Sequence, residues 1–210
     1  MLTPLQRGLE LLNRVETHLD VNDFLIDEDT RARLWDARAP REQLLLAERD
    51  GDLELALFVD QRTLANLAAR DPRDRLDDHN LGDFLLAVEG VSHFVYVVWR
   101  ARHERQVSAL ELELQAEIDK YVTCLLTMDG QGGAPADLRA RLFDRVSFYD
   151  DLDGEERERY QVANSNARSY AASLNDRFVA RGDVVGMLAE LRRFYRLGIA
   201  EKLATINCAA

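Results

Sequence analysis

Apolar positions recur every three or four residues along most of the chain, and the longest such run lies between Leu81 and Arg105. Phe84, Val88, Val91, Val95 and Val98 step by four, three, four and three, the spacing of one helical face. Leu81, Leu85 and Trp99 widen that face. Leu86, Phe94 and Val97 behind it also need cover, so the helix is expected inside a bundle. The valine density and Gly90 keep a strand over 91–99 as the competing reading. Asn80 as a cap, Asp83 in the first turn and the persistence of the 3.6-residue period favour the helix.

Upstream, Thr3-Pro4-Leu5-Gln6 reads as a helix start with Thr3 capping and Gln6 completing the box. Leu5, Leu9, Leu12, Val15 and Leu19 form its buried face to about Asp20. Asp23 to Asp27 is expected to be extended, and 27–39 to be charged and irregular, with a helical turn over 29–36 anchored by Trp35 and closed by Pro40. The period then changes to two over Gln43 to Val59. Asp50-Gly51 at its centre predicts a two-residue type I′ hairpin that sets Leu46 opposite Leu55 and Leu44 opposite Leu57. A lone hairpin is marginal, so it calls for a third strand from 23–27 or cover from the first helix, and an open edge would offer a docking site. Asp60 caps a helix over Gln61 to Ala69, and the proline-containing, charged stretch 71–79 is a loop.

Downstream the pattern is helical. Ser108 and Glu111 form a capping box before the face Leu110, Leu114, Ile118, Val122 and Leu125. Asp129 to Ala134 lacks the lysine of a phosphate-binding loop and reads as a connector. Pro135 opens a helix to about Phe148, the acidic 149–153 stretch is a turn, and Asp153 with Glu156 starts the next helix. There Ala163, Ala167 and Ala171 permit close approach of a neighbour. Gly182-Asp183 stops that helix and starts another carrying Met187, Leu188, Leu191, Phe194 and Leu197, and Ile199, Leu203 and Ile206 mark a last one. The expected fold is α+β: residues 1–79 form a helix with a small antiparallel sheet, and 80–210 form a helical bundle, in one compact unit.

Composition narrows the function classes. The 210 residues are 47 % hydrophobic, enough for one sizeable core, and the net charge of −11 argues against binding a phosphate backbone. Two cysteines, Cys124 and Cys208, build neither a disulfide framework nor a zinc spacing. The first residues do not form a signal peptide, and Glu89 and His93 interrupt the best membrane-spanning candidate, so a cytoplasmic location is expected.

The candidate chemistry lies on the central helix. Glu89, His93, Tyr96 and Arg100 stand at i, i+4, i+7 and i+11 and form one polar stripe, with His103 at its far end. Such a row is either a structural ladder or a ligand site, and Asn164 and Arg168 would join it if their helix faces it. Glu89, His93 and Glu117, with Glu113 as a possible fourth, would form a divalent-metal site similar to carboxylate-bridged centres in general geometry only, because Glu and His stand four apart and no second Glu-x-x-His follows; the competing reading makes Glu113 and Glu117 ordinary solvated acids. Serine-elbow, dinucleotide and P-loop motifs are absent. The leading expectation is a non-catalytic, cofactor-free subunit or adaptor that binds a protein partner or a second copy of itself. The competing one is a small-molecule or metal-binding bundle using the stripe.

Overall fold

A computed structural model describes residues 1–35, 40–133, 137–145 and 153–209. The first helix, α1 (Leu2–Asn13), starts before the expected cap and ends seven residues before Asp20. Thr3 does not cap it. Its hydroxyl donates to Asp20 instead, and the Gln6 side chain reaches across to Thr17, Leu19 and the Val21 N–H. These polar ties fold the segment after Asn13 back along the helix, which leaves Leu19 out of the buried face.

The sheet has order β1-β3-β2. In it, β1 (Leu25–Ile26) pairs in parallel with β3 (Asp52–Val59), and β2 (Glu42–Arg49) pairs antiparallel with β3. The expected register holds, Leu46 to Leu55 and Leu44 to Leu57, around a turn in which Asp50 and Gly51 both take positive φ. One face of the hairpin lies on the central helix and buries Leu57. On the other face the short helix α2 (Glu28–Leu34) sets the Arg31 guanidinium 5.5 Å from the centre of the Phe58 ring. Helix α3 (Gln61–Ala69) starts where Asp60 accepts from the Arg62 N–H.

The central helix α4 (Leu81–Arg102) is buried nearly all round. It has the length and apolarity of a membrane-crossing helix, but 72 % of its most apolar window is covered by the rest of the chain. Asn80 stands at its N-terminus without capping it, because its side chain ties the preceding loop through Arg70, Arg75 and Asp77. Asp83 accepts from Arg41 and Asn66, both at 2.6 Å, and so fastens the hairpin base and α3 to α4.

Helix α5 (Ala109–Gly130), capped by Ser108, runs back along α4. A short helix α6 (Leu138–Phe143) follows, and Pro135 and Phe148, the expected ends of that segment, lie outside the described residues. Helix α7 (Gly154–Arg177) begins with the Asp153/Glu156 capping box and lies against α5, with Ala163, Ala167 and Ala171 buried. Helices α8 (Val184–Tyr195) and α9 (Ile199–Ala209) complete the bundle. Arg192 donates to the carbonyl of Leu12, and Arg196 to those of Asn13 and Arg14, so α8 holds the C-terminal end of α1. One hydrophobic core runs from Leu2 to Ile206 and joins the segments before and after residue 80.

Candidate functional site

The polar stripe on α4 is not a wet face. It is buried against α5, where a second polar row meets it: Glu89 stands opposite Lys120, Ser92 opposite Asp119, and Arg100 opposite Glu111. Two clusters result.

The first surrounds His93, which is 8 % exposed. Its Nδ1 stands 3.9 Å from Glu42 Oε1 and its Nε2 3.7 Å from Glu113 Oε2, both beyond hydrogen-bonding reach. Beside it Lys120 Nζ lies between Glu89 Oε2 at 3.0 Å and Glu117 Oε1 at 2.7 Å. Four carboxylates therefore share a buried space with one imidazole and one ammonium. Burial works against the charge on His93, but Glu42, Glu113 and Glu89 outweigh it and hold the imidazole up at about 9. Burial pushes the carboxyls of Glu42, Glu113 and Glu117 upward, Glu113 to about 7, and in each case neighbouring carboxylates add to the push. Glu89 goes the other way: burial opposes its charge, but Lys120 and His93 hold it below the usual range. Among the described residues neither Glu42 Oε1 nor His93 Nε2 has a hydrogen-bond partner. Among the described residues no three His, Cys, Asp or Glu side chains converge as a preformed ligand set, and the cation between Glu89 and Glu117 is Lys120.

The second cluster is a hydrogen-bonded chain. Ser92 Oγ donates to Asp119 at 2.6 Å, and Gln115 Nε2 donates to the other oxygen of that carboxylate at 3.0 Å. Lys202, from α9, donates to Gln115 Oε1 at 2.8 Å and to the Tyr96 hydroxyl at 2.9 Å. Tyr96 in turn donates to Glu111 at 2.5 Å, and Arg100 Nη2 stands 3.1 Å from the same oxygen. Burial lowers the Lys202 ammonium to about 7 against the pull of Glu111 and Asp119, and burial raises Asp119 to about 6. The chain ends at an open depression of about 430 Å³, lined by Arg100, Ser108, Glu111 and the Gly198–Glu201 turn at the start of α9.

Of the residues singled out from the sequence, Glu89, His93, Tyr96 and Arg100 line this seam, and Glu117 joins Glu89 through Lys120. Asn164 and Arg168 are directed elsewhere: Asn164 donates to the Phe143 carbonyl, and Arg168 pairs with Asp144 at 2.7 Å, both at the end of α6. His103 is exposed, with its Nδ1 on the Trp99 carbonyl. Sequence reasoning missed Glu42, Ser92, Glu111, Gln115, Asp119, Lys120 and Lys202 as site residues, and it named Glu113 only as a possible fourth ligand beside Glu117. Glu42 carried a signal, since strand alternation puts it on the same face as Leu44. Cys124 is buried, and burial pushes its thiol up to about 12, as for a structural thiol; Cys208 is exposed, and both are free. Comparison with known protein families, curated proteins and solved structures finds no match to this chain.

Proposed function

We propose that this protein binds a divalent cation at the cluster of Glu42, Glu89, His93, Glu113 and Glu117. The observation that carries the reading is the charge inventory. Four buried carboxylates face two cationic groups, His93 and Lys120, which leaves a deficit of two charges where unpaired charge is most costly. Two protons make up that deficit, or a divalent ion with one proton while Lys120 stays in place, since His93 ligates only as the neutral imidazole. His93 has the form of a metal-binding imidazole: one nitrogen faces a carboxylate that would orient the ring, and the other is unpartnered and faces Glu113. Oxygen donors with one imidazole suit Mn²⁺, Fe²⁺ or Zn²⁺.

The test is calorimetric titration of EDTA-treated protein with Mn²⁺ and Zn²⁺, with melting temperature followed in parallel. Stoichiometric binding that raises the melting temperature, releases protons and is lost in His93→Ala and Glu113→Gln supports the reading. Native protein that takes up neither ion overturns it.

A second reading, partner binding in a protein complex, is favoured by the hairpin. Leu46 and Leu53 near its tip are half-exposed, and β2 is an edge strand of the sheet. In this reading, light scattering detects self-association that Leu46→Glu abolishes. A native protein that stays monomeric and a hairpin that captures no defined partner remove its basis.

A further inference from the structure

The seam between α4 and α5 presents two acidic tiers in succession. In one, Glu89 of α4 and Glu117 of α5 are both held by Lys120 Nζ, at 3.0 and 2.7 Å. Four residues on in α4 and four back in α5, His93 Nε2 stands 3.7 Å from Glu113 Oε2. Because α5 runs back along α4, the same step along each helix brings the second pair together, about 6 Å from the first. Glu42 reaches the second tier from β2, 3.9 Å from His93 Nδ1. The tiers differ in what lies between their carboxylates. The first already holds a cation, because Lys120 stands three residues after Glu117 on the same face of α5, with its side chain 13 % exposed. An ammonium within hydrogen-bonding reach of two buried carboxylates gives them the charge that a bridging ion would. In the second tier His93 Nε2 has no hydrogen-bond partner among the described residues.

We propose that Lys120 is the built-in second cation of this site: the protein takes one divalent ion, in the tier of His93 and Glu113, and the lysine keeps a second ion out of the tier of Glu89 and Glu117. This rests on the cation binding proposed above and adds its stoichiometry and the residue that sets it. The charges agree, since two divalent ions balance the four carboxylates only when the ammonium is gone. The chemistry follows from the count. The site offers one Lewis acid with an ammonium beside it, and not the paired ions that clamp the attacking and leaving oxygens of a displacement.

The experiment counts bound Mn²⁺ per chain by calorimetric titration of EDTA-treated native protein, Lys120→Met and Lys120→Arg. Electron paramagnetic resonance then tells a second ion beside the first from one held elsewhere on an acidic surface. One ion is expected in the native protein, one in Lys120→Arg, which keeps the charge, and two magnetically interacting ions in Lys120→Met. If Lys120→Met folds only with the ion present, refolding it in Mn²⁺ before removing the excess gives the same count. One ion in the native protein and one in Lys120→Met overturns the role of Lys120 and leaves cation binding standing. Two ions in the native protein or in Lys120→Arg, or a second ion in Lys120→Met that does not interact with the first, has the same consequence. Native protein that takes up no Mn²⁺ overturns both.

Discussion

The Glu42 side chain crosses Gly90 so closely that a Cβ on the glycine would stand 2.9 Å from Glu42 Oε1 and 3.0 Å from Leu57 Cδ1. Glycine inside a helix costs about 1 kcal/mol relative to alanine, and here that cost admits a strand carboxylate to the α4–α5 seam. The link runs from a missing methyl, through helix-on-sheet packing, to the surroundings of His93.

Gly90→Ala is therefore expected to lower stability by about 1 kcal/mol, because overpacking against Glu42 and the fully buried Leu57 outweighs the helix-propensity gain. Urea unfolding reads this directly. A variant more stable than native would show that Glu42 has room to move aside.

Stability should fall as pH rises from about 4.5 to 7. Glu113 keeps its proton in the folded protein to about 7 and loses it near 4.5 when unfolded, so the folded state binds more protons throughout that window. Asp119 acts in the same sense from 3.8 to about 6, and His93 from 6.5 to about 9. Glu113→Gln removes the first contribution, so its stability relative to native should improve between pH 5 and pH 7.5. Parallel profiles for the two proteins in chemical denaturation would contradict the assignment.

Lys202 carries the opposite sign. Burying its ammonium penalises the fold in full below about 7, and the penalty is relieved as pH rises toward 10.5, where the unfolded chain also loses the proton. Lys202→Met removes this term and strands only Gln115 Oε1, since Tyr96 keeps its bond to Glu111. Relative to native, the variant should be most stable at pH 7 or below and lose ground by pH 9.5. A difference that does not change with pH would mean that Lys202 remains charged throughout.

The elements were legible where local chemistry decides them. Asp50-Gly51 and the alternating leucines gave the hairpin register because both turn residues accept positive φ and a one-residue slip would expose Leu57. Ser108, Asp60 and Asp153 cap as expected because an N-cap answers to residues within one turn. Thr3 and Asn80 have the same chemistry and do not cap, because Asp20 in one case and the 70–77 loop in the other compete for their side chains. The α4 half of the site was legible as a stripe. On α5 only Glu117 stood out, at the edge of the apolar arc; the rest was obscured because Glu111, Glu113 and Asp119 lie with it in one acidic run, and only packing tells a buried acid from a solvated one. Lys202 gave no signal, since a lysine in a short terminal helix normally faces water.

The arginine contacts between α8 and α1 set an order of assembly. The α1 helix leaves the ribosome well before α8, so the carbonyls of Leu12, Asn13 and Arg14 meet their guanidinium partners only after Arg192 and Arg196 have been synthesised. Until then the left-handed Arg14 closes the helix and α4 covers part of its apolar stripe, but the face that meets α8 stays open, so a nascent chain stalled before α8 exposes that face and is a species that would need a chaperone.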